Sequence, residues 1–140
     1  MSWLIFALAS AIFAALTAIL AKIGVRDVDS NLATAIRTVV ILFFAWGIVF
    51  AQGSQGKLAS ISRFSLLFLI LSGFTTGLSW LFYFRALQVG NVSQVAPVDK
   101  LSLVFTIILA FIILSEKVSL TVVAGGFLMT LGALVIAFAK

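Results

Sequence analysis

Five apolar runs, each about the length that an α-helix needs to cross a bilayer, constrain the fold of this chain more than any other feature. Short polar connections separate them, and the longest connection is residues 52–63. With 64% hydrophobic and 9% charged residues, a domain of 140 residues could not bury this much apolar surface in water. The sequence therefore predicts an all-α membrane protein with a single domain over residues 1–140. Its five transmembrane helices are expected at residues 2–23, 32–51, 64–86, 93–114 and 120–138.

The residue types that are missing exclude several function classes. The chain has no Cys and no His, and hence no thiol nucleophile, no imidazole base and none of the soft ligands that zinc prefers. We therefore predict no catalytic residue, no metal site and no cofactor, and we do not expect an enzyme. The net charge of +5 comes from basic residues scattered around the apolar runs. Because they form no basic stripe, a nucleic-acid partner is not predicted either.

The fourth run, residues 93–114, contains Pro97, Asp99 and Lys100. An ionised group in hydrocarbon is costly, so such groups normally face a wet cavity or a partner of opposite charge. Pro97 lacks a backbone N–H and loosens a helix, which makes it a candidate hinge. Adjacent residues of a continuous helix do not face each other, so Lys100 is not assumed to pair with Asp99. A basic partner on another helix or subunit is favoured for Asp99.

Counting residues from the helix ends places Arg37, Trp80 and Asp99 at a similar depth, roughly 10 Å below the same membrane face. We predict that these residues, together with Lys100 and Ser102, line one cavity and bind substrate. A carboxylate partly withdrawn from water holds a proton more readily, so Asp99 is also the candidate carrier of a coupling proton. The local excess of basic groups suits an anionic or carboxylate-bearing solute. Two simpler interpretations stay open, in which Arg37 snorkels to the interface and Asp99 forms a structural ion pair.

The loop charges give almost no preference for one orientation in the membrane. One side exposes Lys57, Arg63 and Lys117, and the other carries Lys22, Arg26, Arg85 and Lys140. A chain with an odd number of spans and so little charge bias could insert both ways. Two copies in opposite orientations would form an inverted repeat, an arrangement common among secondary transporters. We therefore predict an antiparallel homodimer.

Two segments of the chain resemble the EamA domain of the drug/metabolite transporter superfamily. They are YFRALQVGNVSQVAPVDKLSLVFTIILAFIILSEK, from Tyr83 to Lys117, and KIGVRDVDSNLATAIR, from Lys22 to Arg37. The most specific positions are Ala86, Leu87, Gly90, Val92, Ser93, Ala96, Pro97, Glu116 and Gly125 or Gly126. One departure is Ser115, where many relatives have Gly before the glutamate.

The resemblance implies a small five-helix member that forms one half-transporter unit in a bacterial or archaeal cell membrane. Such a unit would move a small metabolite by alternating access, as a dimer or with a partner. An alternative is a non-transporting oligomeric membrane subunit, or an accessory partner of another transporter.

Overall fold

The computed structural model describes residues 2–139, and Met1 and Lys140 lie outside the described residues. Its elements are α1 (Ser2–Gly24), α2 (Ser30–Ala51), a 3-10 helix (Ser54–Ser60), α3 (Arg63–Val89), α4 (Val92–Asp99), α5 (Ser102–Ile113) and α6 (Leu120–Ala137). Five segments of the described chain are long and apolar enough to cross a membrane, and α4 and α5 together make one of them. The predicted all-α fold class is confirmed, and the 3-10 helix lies in the longest connection between spans, residues 52–63.

Polar side chains fix where two of the spans begin. The carboxylate of Asp29 accepts hydrogen bonds from the backbone N–H groups of Asn31 and Leu32, at 2.9 and 3.1 Å. At the start of α6, the hydroxyl of Ser119 accepts from the N–H of Val122 at 3.3 Å. Such caps satisfy N–H groups that have no partner inside the helix. The second span consequently starts two residues before the predicted position, because its first turn is polar.

The fourth span covers Val92–Ile113, close to the predicted residues 93–114, and its helix is interrupted part-way. Helix α4 ends at Asp99 and α5 begins at Ser102. In between, the N–H groups of Lys100 and Leu101 bond to carbonyls three residues back, at 3.1 and 3.0 Å. Bonds of this 3-10 type wind the chain more tightly than an α-helix and interrupt its register.

Pro97 lies inside α4, three residues before Lys100 where the interruption begins. The donor that a proline lacks would have met a carbonyl four residues earlier, on the N-terminal side. The missing donor of Pro97 therefore does not account for the interruption. The role of Pro97 as a hinge stays a prediction. The two residues between α4 and α5 form a second irregular point in the same span.

The chain divides into two compact units, which we describe separately. The first comprises residues 1–19 and 89–140, and in it α6 packs against α4 and α5. Gly126 of α6 is buried, and a Cβ atom added there would lie 3.1 Å from the terminal carbon of Ile107 on α5. The small residue thus permits close contact between these helices.

The turn between α5 and α6 is built on a left-handed residue. Ser115 has φ of 54°, and the N–H of Glu116 donates to the carbonyl of Ala110 at 3.2 Å. The left-handed region costs a non-glycine residue roughly 1–2 kcal/mol. The structure therefore gives a physical reason why glycine would suit this position, and it shows that serine also forms the turn.

The second unit comprises residues 20–88, and polar side chains tie the end of α3 to the turn between α1 and α2. The Gln88 amide nitrogen donates to the carbonyl of Val28 at 3.0 Å, and the Lys22 ammonium donates to the carbonyl of Leu87 at 2.5 Å. Val25 and Leu87 are fully buried beneath these bonds. This end of the unit is well anchored.

Candidate functional site

The guanidinium of Arg37 lies against two aromatic rings in the second unit. The central carbon of the Arg37 guanidinium on α2 lies 4.9 Å from the centre of the Trp80 ring and 4.7 Å from that of Phe84. Trp80 and Phe84 are four residues apart on α3 and so share one helix face. Each cation–π contact contributes about 0.5–2 kcal/mol, with the larger value at sites withdrawn from water. The side chain of Arg37 is thereby held against α3.

This arginine is deep in the span and lacks a countercharge in its unit. It is seven residues beyond Ser30, where α2 begins, which corresponds to roughly 10 Å along the helix. Among residues 20–88, no carboxylate forms an ion pair with Arg37, and Asp29 is engaged in capping α2. Ring faces stabilise a cation but do not neutralise it. The in-plane N–H groups of the half-buried guanidinium are therefore suited to bind an anion.

Phe84 was not among the residues that the sequence nominated. Its ring is 1% exposed, and the ring of Tyr83 meets it edge-on at 6.2 Å between centroids. The signal that could have found Phe84 is its spacing, because it lies one helical turn beyond Trp80 on the same face. We add Phe84 to the candidate site as a residue that holds Arg37 in place.

The first unit contains the acidic candidate, paired with its own neighbour. The Lys100 ammonium lies 3.1 Å from a carboxylate oxygen of Asp99, and the two side chains are 59% and 35% exposed. The sequence favoured a basic partner on another helix or subunit for Asp99, whereas the structure pairs it with the adjacent residue. The expectation assumed a continuous helix, whereas α4 ends at Asp99 and Lys100 is the residue that caps it. The long, flexible lysine side chain reaches back to the carboxylate.

Ser102 begins α5 and is exposed, and its carbonyl accepts a hydrogen bond from the Thr106 hydroxyl at 2.9 Å. The predicted site residues therefore fall into two groups. Arg37 contacts Trp80 in the second unit, while Asp99, Lys100 and Ser102 occupy the interruption of the fourth span in the first. That all of them bind one substrate stays a prediction. Among residues 2–139, no cluster of three or more His, Cys, Asp or Glu could hold a metal ion.

Comparison with known proteins identifies the kind of molecule that carries these residues. The EamA-like transporter family matches residues 1–138. The chain belongs to this family. It is also 49% identical over 136 residues to a Sinorhizobium protein named "Uncharacterized transporter in cobO 3'region", which covers 97% of this chain and 96% of that relative. No solved structure matches the chain.

Membership of the EamA-like family confirms the resemblance seen in the sequence, and it points to a transporter rather than an enzyme. Together with the five membrane-spanning segments, it makes this chain a multi-pass integral membrane protein of the drug/metabolite transporter type.

Proposed function

We propose that this EamA-like protein is a secondary transporter that carries a small organic anion by alternating access, as an inverted homodimer in a bacterial cell membrane. Family membership supports the transport function. The observation that carries the choice of an anion is the Arg37 guanidinium, half-buried against Trp80 and Phe84 and without a carboxylate partner in its unit.

The shape of the guanidinium favours a particular anion chemistry. A carboxylate or phosphate accepts two parallel N–H bonds from the edge of an arginine, and such charge-assisted bonds are roughly twice as strong as neutral ones. The Trp80 ring under the guanidinium is only half-buried, so part of its apolar surface stays accessible. A carboxylate-bearing metabolite with a planar or apolar body would use both features.

Two observations support a homodimer. At most 11% of any spanning window is buried within the chain, so most of the helix surface remains for lipid or a second subunit. The loop charges also differ by only one between the two sides, three against four. In an inverted dimer, rocking of one subunit against the other would expose the site alternately to each side. The irregular backbone between α4 and α5 would absorb part of this motion.

The absence of Cys from the chain allows a direct test of the inverted arrangement. A single cysteine replaces Gly56, which lies in the 3-10 helix with nothing within 4 Å of an added Cβ atom. Intact cells are then treated with a membrane-impermeant maleimide. The proposal predicts labelling of about half of the molecules, since an inverted dimer contains equal numbers of each orientation. Labelling of all molecules or of none contradicts it.

The transport proposal is tested by flux from liposomes that contain the purified protein and a mixture of carboxylates, organic phosphates, amines and neutral sugars. Mass spectrometry measures which solutes leave. We expect protein-dependent efflux of one or more anions. Efflux of an amine or a sugar alone would contradict the proposal that the solute is an anion. If no solute leaves the liposomes, the result would support a non-transporting subunit.

A further inference from the structure

The second unit has a cationic cavity that the transport proposal does not use. It lies at the turn between α1 and α2, has a volume of about 420 Å³, and is lined by Lys22, Ile23, Val25, Arg26 and Gln88. Two of these five residues are basic, and no carboxylate is among the described residues that line the cavity. The cavity therefore presents positive charge to whatever fills it.

The polar groups around the cavity differ in their freedom to bind a ligand. Gln88 is fully committed, since its amide nitrogen donates to Val25 and Val28 and its oxygen accepts from Arg85. Lys22 donates a hydrogen bond to the Leu87 carbonyl, which fixes its ammonium at the cavity wall. A guanidinium such as that of Arg26 has five donors.

Arg26 is the more available of the two cations. Its side chain is exposed, and no carboxylate among residues 20–88 forms an ion pair with it. The neighbouring Asp29 is occupied by the N-terminal N–H groups of α2. Arg26 can therefore direct its N–H groups towards an anion beside Lys22.

The position of the cavity indicates which kind of anion it binds. Helix α1 ends at Gly24 and α2 begins at Ser30, so Lys22 and Arg26 lie at the boundary of the membrane. Lipid phosphates occupy this level, and basic pockets between transmembrane helices bind anionic head groups. Ile23, which also lines the cavity, is 68% exposed and can contact an acyl chain.

We propose that this cavity binds the phosphate of an anionic phospholipid, with Arg26 and Lys22 as its ligands and Ile23 against the first part of the acyl chain. A lipid head group and a soluble phosphate both offer phosphoryl oxygens as hydrogen-bond acceptors. The exposed isoleucine favours the lipid, because inorganic phosphate gains nothing from an apolar contact. This inference does not depend on the identity of the transported solute.

The test is native mass spectrometry of the purified protein after exposure to equal amounts of dioleoyl phosphatidylglycerol and dioleoyl phosphatidylcholine. The wild type is expected to retain phosphatidylglycerol preferentially. The Arg26→Gln variant should reduce this retention about tenfold, since it removes charge-assisted hydrogen bonds to the phosphate. Arg26 is exposed, so the substitution should leave the fold intact.

Arg63→Gln is the matched control, because Arg63 is an exposed arginine at the start of α3, at the other end of that span. It should retain phosphatidylglycerol like the wild type. Equal retention of both lipids by the wild type would overturn the proposal, as would equal losses in the two variants.

A second experiment adds inorganic phosphate to the protein that has bound phosphatidylglycerol. Displacement of the lipid by inorganic phosphate at equal concentration would assign the cavity to a soluble phosphate instead.

Discussion

Two regions of this molecule place charge inside membrane spans, and they stabilise it in different ways. Arg37 is held by the faces of Trp80 and Phe84, which stabilise the cation but leave its charge in place. Asp99 is held by Lys100 at 3.1 Å, so the two charges compensate each other within one short segment. The first arrangement is suited to bind an anion, whereas the second is complete by itself until a proton or a ligand disturbs it.

The comparison shows why an ionisable residue in a span should be judged by its partner. A partly exposed ion pair contributes little net stability. A cation without a countercharge in its unit has donors to offer to a solute. We therefore propose that substrate affinity depends mainly on Arg37, and the role of Asp99 in proton coupling stays a prediction.

The largest expected effect is that of Arg37→Gln on anion flux. The substitution removes a charge-assisted interaction of about 1.5–3 kcal/mol, which corresponds to a loss of roughly tenfold to a hundredfold. Arg37→Lys keeps the charge but loses the planar guanidinium, so its flux should fall between those of the wild type and Arg37→Gln. Uptake into proteoliposomes measures this, with Arg63→Gln as the control that retains wild-type flux. Equal flux in Arg37→Gln and Arg63→Gln would remove Arg37 from the site.

The second effect concerns the pair in the first unit. If Asp99 carries the coupling proton, an imposed pH gradient should drive accumulation of the solute in the wild type, by up to about tenfold per pH unit for one proton. Asp99→Asn cannot take up or release a proton at this position, so its flux should not respond to the gradient. Solute uptake at several imposed gradients measures this. A wild type without any response to the gradient would contradict the coupling role.

The third effect tests whether Phe84 holds Arg37. Phe84→Leu removes one cation–π contact and part of a buried ring, and we expect a loss of about 1–3 kcal/mol in stability. Phe82→Leu is the matched control, since Phe82 is 76% exposed and Phe84 is 1% exposed. Unfolding in mixed detergent micelles gives the free energies. Equal losses in the two variants would show that the stacked ring has no special part in the cluster.

The smallest expected effect comes from the ion pair itself. A double-mutant cycle with Asp99→Asn and Lys100→Gln should give a coupling energy of about 0.2–1 kcal/mol, because both side chains are partly exposed. The same unfolding measurement supplies the four free energies. A coupling of several kcal/mol would mean that the pair is a buried structural element, and the contrast between the two regions would be lost.

Much of the fold could be predicted from the sequence, because the length of an apolar run and the rise of an α-helix determine the spans. The proximity of Arg37 and Trp80 could also be predicted from the sequence. Counting residues from the two helix ends placed both at one depth, and the structure puts the guanidinium on the ring.

The interruption of the fourth span could not be predicted in the same way. Whether an N–H bonds three or four residues back at Lys100 and Leu101 leaves no mark on an apolar pattern. The Asp99–Lys100 pair was missed for the same reason, since the rule that separates adjacent residues holds only in a continuous helix.

The most direct test of the anion site is the set of small molecules that remain bound to the protein after purification. Wild type and Arg37→Gln are isolated from the same cells, and the bound solutes are released and compared by mass spectrometry. The account predicts a carboxylate or phosphate compound enriched at least about tenfold with the wild type, the difference expected from one lost charge-assisted interaction. Equal amounts of every solute in the two preparations, or enrichment of an amine that is unaffected by the substitution, would contradict it.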